Sequence, residues 1–287
     1  MKEKLTPYLR KMLGENSIRK QYLVSENPIS LLESYNDPLM EDSHEVVKGL
    51  IHKYTNRALL KVSYQCAAHC RFCTRIRQIG NKAGNLNTEE IEQIFEYLKS
   101  HPEIQDVIIS GGDPLYTPHL TFQLLEKIKL IESIKVIRIG SRMPFHAPEA
   151  FNSSAYNSLF QLIKQISGLK PFYILVHVEH PSELTSEAQI ALKKLKSLGV
   201  TLLSQSVLLR GINDKIEVLD EMYTKLYHLG VIPYYIYHCD NVQGLEHFQV
   251  DKVKEKNLSI ELRKRLSGIA VPLLVEDLEN DYGKIPF

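Results

Sequence analysis

Apolar positions along the chain fall into two alternating kinds of run. Short stretches rich in β-branched and aromatic residues recur at 57–64 (RALLKVSY), 106–111 (DVIISG), 135–141 (KVIRIGS), 172–178 (FYILVHV), 200–206 (VTLLSQS), 231–238 (VIPYYIYH) and 270–276 (AVPLLVE). Their length and composition predict strands. Between them lie amphipathic stretches such as TEEIEQIFEYLKS over 88–100 and SEAQIALKKLKSLG over 186–199. The second carries apolar residues at helical spacing and closes on Gly199, which suits the position just past a helix. Mostly apolar strands separated by helices predict a parallel sheet covered by helices. Six or seven such units fit a partial (β/α)6-type parallel barrel, with an open doubly wound sheet as the rival. Polar residues fall repeatedly just past the strand ends: Cys66, Asp113, Ser141, Arg142, His177, Glu179, Gln205 and Asp240. A barrel with its active site at the C-terminal ends of its strands has that pattern. Residues 1–50 read as a polar helical extension with breaks near Asn27-Pro28 and Asp37-Pro38, and residues 51–287 as the barrel domain.

The chain has 287 residues, 44% hydrophobic and 24% charged, a globular balance with ample material for a core. A formal net charge of +1 provides no global field to recruit nucleic acid or an anionic membrane. The opening MKEKLTPYLRKMLGENS contains no apolar leader segment, and no later run is long and apolar enough to span a bilayer. A cytoplasmic protein with no direct nucleic-acid or membrane partner is the expectation. That location bears on the four cysteines, because reducing cytosol disfavours structural disulfides. A triplet plus distant Cys239 is also a poor framework for pairing. Metal or cluster ligation leads for the triplet, with Cys239 packing as a small hydrophobe.

The triplet lies in CAAHCRFCTR, residues 66–75, as Cys66, Cys70 and Cys73 directly after the first strand. Structural zinc usually takes four ligands in two separated pairs, and no second pair exists here. His69 abuts Cys70, so both side chains reaching one ion is awkward, and a three-thiolate catalytic zinc is the remaining zinc option. A tight thiolate loop instead suits three irons of a cubane cluster, with the fourth iron open to a small molecule. Spacing and position together resemble the motif of the radical S-adenosylmethionine enzymes. The resemblance implies that Cys66, Cys70 and Cys73 ligate a [4Fe–4S] cluster, that S-adenosylmethionine chelates the fourth iron, and that Phe72 fills the usual aromatic position. IISGGDP over 108–114 is ordinary β-turn chemistry by itself. Beside the triplet it resembles the superfamily's Gly-Gly-acid motif, implying that Gly111, Gly112 and Asp113 meet the methionine amino group. Gln205 and His177 are further candidates to reach S-adenosylmethionine. Alternation sets His177 and Glu179 on one face and His180 on the other, so no three-ligand metal site is expected there.

Longer strings narrow the resemblance. HCRFCTR, ISGGDPL, RIGSRMP, SQSVLLRGIND, PYYIYHCDNVQGLEHF and GKIPF together resemble the lysine 2,3-aminomutase family, from about His52 to the last residue. The resemblance implies a further cofactor, pyridoxal phosphate. Lys284 matches the family's Schiff-base lysine, a role that needs an amine made nucleophilic by burial or nearby cations. The last strand must then carry Lys284 back into the barrel. Arg57 matches a phosphate-binding position, and Lys53 stands where better-known members have a second arginine, so a bidentate contact becomes a point charge. Arg75 matches the residue that grips the substrate α-carboxylate, and Asp240 and Asp277 match the pair that holds the lysine side-chain amine. Two carboxylates favour lysine over glutamate, with arginine left open.

The implied activity is an isomerase reaction, the 2,3-migration of an amino group converting L-lysine to β-lysine. A deoxyadenosyl radical removes the β-hydrogen while the substrate is held on pyridoxal phosphate. A flavodoxin- or ferredoxin-type electron donor is implied as well, and a homo-oligomer is left open. ENDYG over 279–283 departs from the glycine-rich sequence common before the aldimine lysine. Lys215 stands at a zinc-ligand position of the longer lysine-fermenting enzymes, so no zinc is expected. The short form and HKYTNRALL look closer to the branch that makes (R)-β-lysine for elongation factor P. The rivals are a same-fold aminomutase acting on another amino acid such as arginine or glutamate, and a non-catalytic iron–sulfur or metal-binding protein.

Overall fold

Two short helices open the chain, α1 (Pro7–Lys11) and α2 (Asn16–Tyr22). Thr6 caps α1 by accepting from Leu9 N, and Pro7 occupies a first-turn position where no N–H partner is required. The computed structural model describes residues 3–24, 37–242, 244–278 and 283–287. A hairpin comes next, β1 (Glu45–Val47) and β2 (Leu50–Tyr54), followed by β3 (Arg57–Ser63). Gly49 makes the β1–β2 turn at φ +82°, where an added Cβ would lie 2.9 Å from the Lys61 carbonyl.

From β3 onward strands and helices alternate. They are α3 (Thr88–Ser100), β4 (Asp106–Gly111), α4 (Pro118–Ile128), β5 (Val136–Ser141), α5 (Met143–His146), α6 (Asn157–Ser167) and β6 (Phe172–His177). After these come α7 (Ser186–Lys196), β7 (Thr201–Val207), α8 (Ile216–His228), β8 (Ile232–Tyr237), α9 (Lys252–Arg265), β9 (Leu273–Leu278) and β10 (Gly283–Pro286). One sheet takes all the strands in sequence order, β1 to β10. Each neighbour pair from β3 to β9 is parallel. The β1–β2, β2–β3 and β9–β10 pairs are antiparallel. A doubly wound sheet reverses its strand order at a switch point, and this order never reverses. The architecture is therefore a partial parallel barrel of six helical crossovers. It does not close, because the outer edges of β3 and β9 are taken by β2 and β10.

Alternation along the strands separates two faces. Ala58, Leu60, Val62, Val107, Ile109, Ile137, Ile139, Ile174, Val176, Leu202, Ile236 and Leu274 point outward and are buried against the helices. Facing them are Ile91, Ile94 and Leu98 of α3, Leu124 and Ile128 of α4, Ile163 of α6, Leu192 of α7 and Met222 of α8. The residues between them in β4 and β5, including Ser110, Arg138 and Gly140, share the inner face and are only half-buried. The interior thus mixes polar groups with aliphatic ones such as Ile108 and Leu175, where a filled barrel would carry aliphatic layers throughout.

Within the range 1–50, expected to be helical, Pro7–Lys11 and Asn16–Tyr22 are helices, whereas residues 45–47 are strand. Two adjacent valines ahead of a Lys-Gly turn pair readily with β2, and three residues are too few to show periodicity. The break near Asp37-Pro38 coincides with a turn closed by Met40 N donating to Asp37 O, and Asn27-Pro28 lies outside the described residues. The strand expected at 270–276 starts at Leu273, because residues 268–270 form a 3-10 turn. Among the described residues no helix is long and apolar enough to cross a membrane.

Candidate active site

The cysteine loop leaves the C-terminal end of β3 and is held from two sides. From β4, Gly112 N donates to Ser63 O at 2.5 Å and Asp113 N to Gln65 O at 2.8 Å. A Cβ at Gly111 would lie 2.4 Å from Ser63 O, and one at Gly112 2.2 Å from Gln65 O. The glycine pair is what lets the two strand ends approach so closely. From the N-terminal segment, Lys4 Nζ donates to Cys66 O at 2.6 Å, His69 N to Lys4 O at 3.0 Å and Arg71 N to Gln21 O at 2.8 Å. Leu9, Ile18 and Tyr22 pack with Ala68, and Cys70 lies against them.

Burial pushes all three thiols up, Cys70 to about 12. Cys66 is raised next by Asp113 and then by Cys73 and Cys70, so the three sulfurs share one pocket. Three buried thiols that resist ionisation need positive charge nearby to become thiolates, which iron would supply as it binds them. Among the described residues no three His, Cys, Asp or Glu side chains are grouped as the ligands of one metal ion would be. A four-iron cluster needs no such convergence, because each thiolate takes its own iron. The donor set fits a cluster better than zinc.

Arg142, just past β5, was visible in the sequence only as a polar strand-end residue. It donates from Nη1 to Cys70 Sγ at 3.1 Å and from Nη2 to Glu183 at 2.6 Å and Gln21 at 2.9 Å. Its guanidinium also lies 5.2 Å from the centre of the Phe72 ring. Such a donor draws electron density from the sulfur it touches. His146, which was not singled out, accepts or donates at Nε2 to Tyr22 Oη at 3.0 Å and lies 3.9 Å from Cys70 Sγ. Burial first, then the charge of Arg142, holds His146 well below the usual histidine range. Asp113 is turned to protein donors: Leu115 N at 3.0 Å, Ser141 Oγ at 2.8 Å and Arg142 N at 2.7 Å. Its carboxylate thereby caps the turn after β4.

Arg75 is paired with Glu41, a residue the sequence reading passed over. Nε lies 2.9 Å from Oε2 and Nη2 2.5 Å from Oε1, while Nη1 donates to Ser110 Oγ at 3.3 Å. His177 Nδ1 meets Glu179 Oε1 at 3.1 Å, and His180 Nδ1 turns away to Ser182 Oγ at 2.8 Å. Gln205 Nε2 donates to Tyr237 Oη at 2.6 Å.

On β10 Lys284 stands opposite Asp277 and is exposed, not buried as the Schiff-base expectation asks, and Nζ donates to Asp277 Oδ2 at 2.7 Å. Lys284 Nζ also lies 5.7 Å from the centre of the Tyr237 ring, which connects it to Gln205. Burial first, then the neighbouring Asp277, pushes Asp240 to about 7, with Lys284 opposing. Gly283 packs on Tyr54: an added Cβ would be 3.1 Å from its hydroxyl. The Arg57 guanidinium stacks on the Tyr54 ring at 3.9 Å, and Lys53 Nζ lies 5.8 Å from that ring while donating to Leu39 O at 3.4 Å. Lys284, Asp277, Asp240, Arg57 and Lys53 thus gather around Tyr54 and Tyr237, two tyrosines that lie in the resembling strings without a role assigned to them. Residues 279–282 of the ENDYG string lie outside the described residues.

The radical SAM superfamily model matches residues 60–222, which contain the cysteine loop and the glycine pair. The chain is 35% identical to the L-lysine 2,3-aminomutase of Clostridium subterminale over 288 residues, covering 98% of this chain and 68% of that protein. The chain belongs to the lysine 2,3-aminomutase family of the radical SAM superfamily. Family membership carries with it a [4Fe–4S] cluster and S-adenosylmethionine. The L-lysine 2,3-aminomutase of Methanococcus maripaludis is 36% identical over 98% of this chain and 65% of its own length. That of Escherichia coli strain K12 is 34% identical over 95% of this chain and 78% of its own. The chain spans about two thirds of the first two of these aminomutases. The fold is similar to a radical SAM methyltransferase from Sphaerobacter thermophilus, with TM-score 0.54 and 17% identity over 79% of this chain and 68% of the other. It is similar in the same degree to Streptococcus suis SuiB bound to S-adenosylmethionine, with TM-score 0.54 and 14% identity over 82% and 52%.

Proposed function

We propose that this protein moves the α-amino group of L-lysine to C3, using a [4Fe–4S] cluster, S-adenosylmethionine and pyridoxal phosphate. The observation that carries the reading is the meeting of Lys284, Asp277 and Asp240, in a chain that also sets Arg75 just after its cysteine loop. A zwitterion with a second ammonium has one carboxylate to place and one distal cation, and these groups match both. When bound, the cluster with S-adenosylmethionine supplies a primary carbon radical, and pyridoxal phosphate supplies a conjugated carrier for the migrating nitrogen.

The chain's own residues divide the remaining work. Cys66, Cys70 and Cys73 would hold the irons, with Gly111, Gly112 and Asp113 and the side chains of His177 and Gln205 toward S-adenosylmethionine. Lys284 would anchor pyridoxal phosphate, and Arg57 and Lys53 would hold its phosphate across Tyr54. Lys284 must first leave Asp277, because an ammonium held by a carboxylate is not a nucleophile. A lysine substrate offers an exchange of like for like: its ε-ammonium takes the place at Asp277 that the Lys284 ammonium holds now. Glutamate would bring a carboxylate to the same two aspartates and be repelled. Residues 3–24 belong to the catalytic unit in this reading, since their backbone and side chains contact the cluster loop. The electron would come from an external flavodoxin- or ferredoxin-type donor. Attachment of the product to elongation factor P is the downstream step the reading would serve, and the mass of that factor in cells with and without this chain tests it.

The decisive assay loads anaerobic protein with iron, sulfide and pyridoxal phosphate, then adds S-adenosylmethionine, reductant and L-lysine. β-Lysine should form, and Lys284→Met protein with the same iron content should form none. Full cofactor loading with no β-lysine, or turnover of arginine in preference to lysine, would overturn the substrate.

A further inference from the structure

Arg75 is offered to the opening in one orientation, and the residue that sets it is Glu41. Glu41 lies along the edge of the guanidinium formed by Nε and Nη2, at 2.9 and 2.5 Å. Among the described residues, the opposite edge, formed by Nη1 and Nη2, has only the 3.3 Å contact of Nη1 with Ser110 Oγ. A guanidinium has two edges that each accept a carboxylate side by side, so this edge is open to a second one. Glu41 is itself 4% exposed, which sets it apart from an ordinary surface ion pair.

Glu41 is in turn fixed from behind. Lys61 is fully buried on the inner face of β3, and its Nζ lies 3.9 Å from Glu41 Oε2 and 3.7 Å from Glu45 Oε1. That ammonium makes no hydrogen bond among the described residues, so its tie to Glu41 is one of charge. The segment bearing Glu41 is also pinned to the cluster loop, because Arg77 pairs with Asp42 at 2.6 Å and Asp37 at 3.2 Å. Met40, directly before Glu41, sits at φ 52°, a left-handed conformation that a residue with a Cβ holds only when its surroundings impose it.

We infer that Glu41, backed by Lys61, is a positioning residue for substrate recognition: it holds Arg75 by one edge so that the other meets the α-carboxylate. The inference rests on the reading of Arg75 as the carboxylate grip, and one experiment separates the two. Equilibrium binding of L-lysine and of cadaverine, its analogue without the carboxylate, is measured by calorimetry on holoenzyme without S-adenosylmethionine or reductant. Arg75→Met should weaken L-lysine and leave cadaverine unchanged. Glu41→Gln should do the same by about tenfold, the scale of a lost charge-assisted hydrogen bond, while Glu41→Asp should restore part of the affinity. Lys61→Met, which touches Glu41 and not Arg75, should give a smaller selective loss, and serves if the Glu41 variants fail to fold. Glu41→Gln weakening both ligands equally, or neither, while Arg75→Met stays selective, would overturn the inference and leave Arg75 in its role. An Arg75→Met variant without selectivity would remove the reading beneath it.

Discussion

A carboxyl that remains protonated up to about pH 7 cannot hold an ammonium below that pH, and Asp240 is such a group. Its burial beside Asp277 raises it from an ordinary value of 3.8, so its contribution to folding is whole below about pH 4 and is lost as pH rises through about 7. Ligand binding has the opposite sign. An ε-ammonium favours the ionised carboxyl, so L-lysine affinity should fall as pH drops below 7, by up to about tenfold per unit. Binding near pH 7 should release a fraction of a proton, visible as a buffer-dependent heat in calorimetry. Asp240→Asn should abolish that release and flatten the affinity profile between pH 5 and 7 (roughly the range where one group of this kind titrates). A profile unaltered by the substitution would take Asp240 out of the ammonium site. The cysteines were legible at this scale because three thiols in eight positions have few chemical uses. Glu41 and Tyr54 were not, since an acid in a polar stretch and a tyrosine in a strand have many.

The ends of β3 and β4 meet more closely than any side chain would allow, and that contact positions the cluster loop. Gly112→Ala puts a methyl 2.2 Å from the Gln65 carbonyl, a backbone atom with nowhere to retreat. It should destabilise the fold by about 1–3 kcal/mol, read as a lowered Tm, and should reduce iron per chain more than an equally destabilising change in α8. The strands β3 to β9 were readable from their β-branched runs, because each must be apolar where it meets the helices. The β1–β2 hairpin and β10 were less readable: three to five residues at a sheet edge have no period to detect. Helix α9 escaped for another reason. Its buried residues are only Glu255 and Leu262, so no apolar stripe marks it, and the Asp251 cap is its clearest local signal. Lys61 shows what the pattern did offer, since a lysine midway along a strand that alternates toward the interior must face the lumen.

Across the whole molecule the N-terminal segment and the cluster loop form one unit, tied through backbone hydrogen bonds and the Gln21–Arg142–Glu183 group. Loss of iron should therefore be felt outside the loop. Chelated protein should exchange amide hydrogens faster at residues 66–73 and also at 18–22, while α7 and α8 remain protected. Exchange confined to the loop would mean that the helices cover it without being coupled to it. The same contacts span long stretches of chain: Thr6 bonds the carbonyl of His146, 140 residues away, and Tyr8 bonds Thr185, 177 residues away. Such contacts can form only after half the barrel has been made and folded. The contacts of Lys4, Gln21 and Ala68 with the cluster loop, by contrast, lie within the stretch that ends at Arg71. The cover over the cysteines is thus fastened twice, once by neighbours in the chain and once by β5 and α7 units made much later, so a nascent chain holds the loop in place before the barrel locks it.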